Sequence, residues 1–268
     1  ASGEKEFGGL SGLVVSPDGQ QLWAVSDRGS LVTARLAYGE GGELVAARDI
    51  ALHPLIEADG GAVTGSRSDA EDLTRMPDGS WAVAFERWHR IESYPATPDG
   101  PINGPKELPR PAGLRQAPGN GGIEALAAFP DGRLLAIEEG REQDAGTHRA
   151  WITGPDGWRR LTYRGLAPYR PTGATVLPDG DLLVLERRAS LLGGFGARIV
   201  RVPGEAIEPG RVVAGEEIAR LEPPLSVDNF EGIDAVPAPD GGYVVYLLSD
   251  DNFWALQRTL LLMFRLPA

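Results

Sequence analysis

Glu71, Glu124 and Glu231 stand just ahead of three apolar runs, each at the same phase of its run, and each run leads to a Pro-Asp-Gly triplet that recurs down the chain. Ser11 and Thr172 hold the equivalent place in two further runs, and two residues upstream of the five positions stand Gly9, Asp69, Gly122, Arg170 and Asn229. In an extended chain residues i and i+2 project to the same side, so Asp69 pairs with Glu71 and Asn229 with Glu231. Carboxylates and an amide with almost no imidazole among them form a hard-oxygen set. Such a set suits Ca²⁺, with Mg²⁺ second, better than zinc. Asp69, Glu71, Glu124, Asn229 and Glu231 are therefore the candidate metal ligands, since without a cation the converging acids would repel one another.

A second polar set closes the returning arm after each triplet: Ser26-Asp27-Arg28, Glu86-Arg87, Glu138-Glu139, Glu186-Arg187 and Ser249-Asp250-Asp251. If the two arms run antiparallel, the end of the second returns beside the start of the first, and both sets share one face. Histidine is scarce, with His53, His89 and His148 in the whole chain. His89 lies in the charged run Phe85-Glu86-Arg87-Trp88-His89-Arg90 and is a candidate general acid or base. Glu86, Arg87, His89 and Arg258 are the candidate catalytic residues, with Arg87, Arg90 or Arg258 placed to neutralise charge developing on a substrate. No Gly-x-Ser-x-Gly elbow, phosphate-binding loop or His-Glu-x-x-His motif is present, so those reaction classes lack their usual signature. The Asp-Gly pairs at 18, 78, 131, 156, 179 and 240 read as turns.

The elements that would position these residues come from an internal repeat of apolar run, Pro-Asp-Gly and second apolar run. Its prolines fall at Pro17, Pro77, Pro130, Pro178 and Pro239, at intervals of 60, 53, 48 and 61 residues. Each copy reads as a hairpin, because Pro presets φ and Gly tolerates the positive φ that a tight turn needs. Near-continuous apolar character on both arms implies burial on both faces. Between the hairpins lie alternating segments, such as 30–37 with 43–51 and 149–153 with 158–163, which supply outer strands. Units of this size, packed radially, make a β-propeller. The expected fold is all-β, a single domain over 1–268 with about five blades of mostly four antiparallel strands, and a β-sandwich is the competitor. A degenerate sixth blade could lie within 30–67 or 188–228. Closure is expected to use Thr259 to Leu266 as the third strand of the last blade and the residues before Gly8 as its fourth.

Bulk properties narrow the function. A formal charge of −12 with pI near 4.8 excludes the basic face that nucleic acid demands and favours cation binding. Lys5 and Lys106 are the only lysines among 26 basic residues, so positive charge is carried by guanidinium, which binds oxyanions bidentately. There is no cysteine, which removes disulfides, thiolate ligands and a cysteine nucleophile together. No apolar run approaches the roughly 18 residues of a membrane helix. The start at Ala1-Ser2-Gly3 reads as the stump left by a removed signal peptide, so a periplasmic or secreted, monomeric protein is expected.

Gly8-Gly9-Leu10-Ser11-Gly12-Leu13, Ser68-Asp69-Ala70-Glu71-Asp72-Leu73, Phe85-Glu86-Arg87 with His89-Arg90, Asn120-Gly121-Gly122-Ile123-Glu124, Asn229-Phe230-Glu231-Gly232-Ile233, and Ser249-Asp250-Asp251-Asn252-Phe253 with Gln257-Arg258-Thr259 resemble the phytase-like family of bacterial secreted proteins ("esterase-like activity of phytase"). The resemblance spans nearly the whole chain. It implies an exported protein that hydrolyses phosphate esters or other esters, with a small anionic ester as substrate or ligand. A calcium-dependent lactonase or esterase would use the same site on another substrate, and a non-catalytic calcium-stabilised propeller would bind a ligand or partner there.

Overall fold

The computed structural model describes residues 7–141, 146–190 and 194–267. Among the described residues the regular elements are strands and three single-turn 3-10 helices. The strands form five sheets, one for each Pro-Asp-Gly hairpin, and the protein is a five-bladed β-propeller. In blade 1, β1 (Leu10–Val15), β2 (Gln21–Ser26), β3 (Ser30–Tyr38) and β4 (Leu44–Pro54) pair in chain order, and blade 2 repeats this with β5 (Ala70–Arg75), β6 (Trp81–Phe85), β7 (Arg90–Tyr94) and β8 (Lys106–Glu107). Blade 3 is β9 (Ile123–Ala128), β10 (Leu134–Arg141), β11 (Thr147–Gly154) and β12 (Gly157–Arg164). Blade 4 takes β13 (Arg170–Val176), β14 (Leu182–Ser190) and β15 (Gly194–Val202); the short β16 (Val212–Val213) then leaves to pair in parallel with β12, and β17 (Glu216–Leu221) returns as the outer strand. Blade 5 has three strands, β18 (Asn229–Pro237), β19 (Tyr243–Asp250) and β20 (Leu261–Leu266).

The turns explain why the repeat folds as it does. In all five hairpins the Gly N–H donates back to the carbonyl of the residue before Pro: Gly19 to Ser16, Gly79 to Met76, Gly132 to Phe129, Gly180 to Leu177 and Gly241 to Ala238. Every one of these glycines has positive φ, from +70° to +94°, where a Cβ would be strained. The aspartate of the triplet caps the turn, as when Asp78 and Asp131 each accept the N–H two residues on. These aspartates are structural, as read from the sequence.

Blades pack through apolar side chains on both faces of their inner strands, which is why β1 is buried at every position. Five clusters result, each between two neighbouring blades and together closing the ring. Between blades 1 and 2, for example, Trp23 and Trp81 meet at 5.3 Å. The inner strands β1, β5, β9, β13 and β18 pack edge to edge around the axis. Carboxylates lace them together: the buried Asp72 accepts from Leu126 N–H at 2.7 Å across blades 2 and 3, and the half-buried Asp234 accepts from Val15 N–H at 2.6 Å and from Thr175 Oγ1 at 2.7 Å.

The segment 30–67 supplies β3, β4 and a small Ile56–Ala62 bridge, and 188–228 supplies strands of blade 4 with β16, so neither holds a sixth blade. Closure uses β20 as third strand, as expected. The fourth strand expected from the residues before Gly8 falls on 1–6, outside the described residues, while Phe7 packs into the apolar cluster between blades 5 and 1.

Candidate metal centre

Antiparallel pairing of the first two strands brings both polar sets to one mouth of the channel. Each blade contributes a pair there. Asp27 N–H donates to Gly9 O at 3.0 Å, Glu86 N–H to Asp69 O at 2.7 Å and Glu139 N–H to Gly122 O at 2.9 Å, while Arg170 faces Arg187 and Asn229 faces Asp250 in register.

Just inside this layer the inner strands bulge. Glu71 lies unpaired between the Ala70–Phe85 and Asp72–Ala84 pairs, Glu124 between Ile123–Glu138 and Ala125–Ile137, Thr172 between Pro171–Glu186 and Gly173–Leu185, and Glu231 between Phe230–Ser249 and Gly232–Leu248. Blade 1 has its irregularity between Ser11 and Val14. A bulge inserts one residue and re-aims its side chain, so the repeated bulge is the backbone device that gathers these glutamates.

The outcome is a dense acidic cluster. Asp27, Asp69 and Glu71 offer carboxylate oxygens within 4.8 Å of one another, and Glu71, Glu86 and Glu124 do the same, with Glu71 common to both groups. Glu231 stands across the mouth, where its Oε1 accepts from Asn229 Nδ2 at 2.8 Å and its Oε2 from Ser11 Oγ at 3.1 Å. Both expected pairs, Asp69 with Glu71 and Asn229 with Glu231, are therefore formed.

Burial, and then the neighbouring Asp27, Glu86, Asp69 and Glu231, push the Glu71 carboxyl well above its usual range. Burial with Glu71 and Glu86 does the same to Glu124. Asp27 is pushed up to about 7 by burial, Glu231 and Asp69, and Asp250 to about 8 by burial, Glu231 and Asp27. Asp69 is raised by burial despite the opposing pull of Arg87, and Glu231 by burial despite Arg187.

These shifts set the pH dependence of the metal-free protein. Carboxyls raised in the folded state hold protons that the unfolded chain releases, so stability is fullest below their ordinary range and is lost as pH rises through the folded values. The melting temperature without divalent metal is expected to fall between about pH 4 and about pH 8, the window from the ordinary aspartate value to the raised Asp27 and Asp250. Saturating calcium should reduce that slope. Thermal melts with and without chelator check this, and a chelated protein that gains stability across the window would refute it.

The donor set fits a hard cation. Its ligand atoms are oxygens, and Asn229 Oδ1, in a side chain 2% exposed, has no hydrogen-bond partner. A buried amide oxygen left without a donor is costly, and a cation at the mouth would satisfy it.

The residues expected to be catalytic are not all assembled there. Glu86 is, but its Oε1 also accepts the N–H groups of Gly121 and Gly122 (2.6 Å to Gly122), fixing the chain that leads into Glu124. Arg87, at φ +51°, lies at the rim with its Nε 2.5 Å from Asp69 Oδ2. His89 is buried and braces the 118–122 loop through Nε2, which donates to Pro118 O at 3.0 Å; its Nδ1 has no hydrogen-bond partner, and with Arg87, Arg110 and Arg115 it lines a separate cleft at the edge of the mouth. Arg90 is fully buried, with Nε 2.6 Å from Glu92 Oε1 and its guanidinium over Phe85, and it cannot neutralise charge at the mouth. Arg258 pairs with Asp228 at 3.3 Å and lines a cleft of about 560 Å³ between blades 5 and 1, outside the acidic groups.

Asp27, Asp250, Glu139 and Arg187 belong to the mouth although they were not among the expected ligands. Their signal was in the sequence: each falls in the polar group that ends the second arm of a repeat.

Comparison with known proteins agrees with this architecture. The endo-arabinase of Bacteroides thetaiotaomicron superposes with a TM-score of 0.56 at 12% identity, covering 98% of this chain and 96% of that one. A bifunctional GH43-CE protein of Bacteroides eggerthii gives 0.54 at 13% identity, covering 97% of this chain and 34% of that one. At such identities the likeness is one of fold. No individually curated protein matches the sequence. The family model for phytase-like proteins, described as esterase-like activity of phytase, matches residues 5–253, and the chain belongs to that family.

Proposed function

We propose that the channel mouth binds calcium and that the protein is an extracytoplasmic hydrolase acting there on phosphate esters or related esters. The observation that carries this reading is Glu71. Its carboxylate belongs to two carboxylate groups at once, and the strongest charges acting on it are all acidic. Deprotonated, the cluster demands a cation. Glu71 with Asp27 and Asp69 on one side and Glu86 and Glu124 on the other would hold it, and Asn229 Oδ1 with Glu231 would face it across the mouth. When bound there, calcium would act as a Lewis acid on the phosphoryl or carbonyl oxygen of an ester.

The chain's own groups position the site. Glu86 and His89 hold the 118–122 loop and thereby the entry to β9, which carries Glu124. Asp69 pins Arg87 at the rim, where its side chain is 58% exposed and able to meet an anion.

The purified protein is expected to hydrolyse phytate, p-nitrophenyl phosphate or a simple ester, and to lose that turnover in chelator. Absence of chelator-sensitive turnover on all of them would end the hydrolase reading. The engagement of His89 with Pro118 favours the second reading, a calcium-stabilised propeller that binds a ligand or partner without turnover. On that reading calcium still raises stability by mass action, by about 2.7 kcal/mol at 100 times its Kd.

A further inference from the structure

The mouth is acidic on four blades and basic on one. At the end of the second strand stand Asp27, Glu86, Glu139 and Asp250, but blade 4 has Arg187. At the start of the inner strand blade 4 has Arg170, and at the bulge it has Thr172 where blades 2, 3 and 5 have glutamate. Blade 4 thus places arginine at two positions where the other blades carry acid, amide or glycine, and no carboxylate at the third.

Arg170 and Arg187 are direct cross-strand partners. Like charges in that relation destabilise a sheet unless something lies between them. Glu139 partly does so, at 3.2 Å from Arg170 Nη1 and 3.5 Å from Arg187 Nη2, and Glu231 stands 3.4 Å from the same Nη2. These contacts are long for charge-assisted bonds, which run about 2.7–2.9 Å. They leave donors unused: a guanidinium carries five N–H groups, and Arg187 Nε is buried with no partner. A buried orphan N–H beside an unspent guanidinium is unusual in a native structure and calls for an acceptor.

We propose that Arg170 and Arg187 form an oxyanion subsite facing the cation cluster, so that the ligand of this mouth is a phosphate or comparable tetrahedral oxyanion group held between blade 4 and calcium. The subsite rests on the calcium reading above. Arg187 also touches Glu231, whose other oxygen is held by Ser11, and so links the anion subsite to the metal side of the mouth. Planar guanidinium donors match two oxygens of one anion at once, which a lysine would not do. Thr172 stands where blades 2, 3 and 5 carry a glutamate, so the bulge of blade 4 adds no carboxylate to repel the anion.

The test titrates calcium alone and then inorganic phosphate into the calcium-saturated protein by calorimetry, for the native chain, Arg187→Gln and Arg170→Gln, with thermal melts as a folding control. The native protein is expected to bind phosphate only when calcium is present. Arg187→Gln should weaken phosphate at least tenfold while leaving calcium affinity equal or tighter, because a positive charge beside Glu231 and Glu139 has gone. Arg187→Lys should recover a minor part of the loss. If Arg187→Gln does not fold, the half-exposed Arg170→Gln carries the test, with an expected severalfold loss. Native calcium binding without phosphate binding, or undiminished phosphate affinity in a folded variant, overturns the subsite and leaves the calcium reading standing. Failure of the calcium titration itself is the separate result that removes the reading beneath it.

Discussion

Glu71→Gln is expected to abolish calcium binding and, in the same protein, to raise the stability of the metal-free state. The two effects have opposite sign because Glu71 is the shared member of the two carboxylate groups. Removing an outer-shell partner of a metal site costs about 10–100-fold in affinity, so removal of the ligand common to both groups should cost at least about 100-fold. Without metal, the same carboxylate is half-buried among Asp27, Glu86, Asp69 and Glu231. Its charged form is penalised by desolvation and by like charge, and a neutral amide of equal size escapes both penalties. Calorimetry with calcium and melts in chelator read the two quantities. A structural glutamate that merely caps a loop would show the reverse pattern, with lost apo stability and intact calcium binding.

Arg90→Ala should destabilise the fold by about 3–5 kcal/mol while calcium affinity stays unchanged, because it strips the partner from a buried carboxylate. Glu92 is 4% exposed and accepts from Arg90 Nε at 2.6 Å and from Tyr94 Oη at 2.9 Å. Arg90 also donates to Arg67 O at 2.9 Å, so its loss frees a backbone carbonyl as well. For a domain of this size the melting point should drop by roughly 10 °C. The double change Arg90→Met with Glu92→Leu should recover a large part of that loss, since apolar replacement of a buried pair is often neutral or better. An Arg90→Ala protein that melts normally but loses turnover would instead return Arg90 to the site.

The fold was legible because a propeller writes itself as a repeat. Pro-Asp-Gly at five places announces five hairpins, and the turn chemistry that makes the triplet recur is local. The shared phase of Glu71, Glu124 and Glu231 was legible for the same reason. What local reasoning could not see was the bulge at each of these glutamates, since a bulge is defined by the pairing partner and not by the strand that carries it. Contacts between distant segments were also out of reach. Arg90 reads as one more charge in Glu86-Arg87-Trp88-His89-Arg90, and only the fold shows that it turns inward to Glu92 while Arg87 turns out to Asp69. His89 was singled out for its chemistry, but its neighbour Pro118 lies 29 residues away and uses its ring nitrogen for structure.

Crystals grown with calcium test the central claim most directly, by locating the ion in anomalous difference density. The account predicts an ion touching Glu71, in a shell of oxygens at about 2.3–2.6 Å drawn from Asp27, Asp69, Glu86 and Glu124. An acidic mouth without bound calcium at millimolar concentration, or an ion held elsewhere with Glu71 uninvolved, would contradict it.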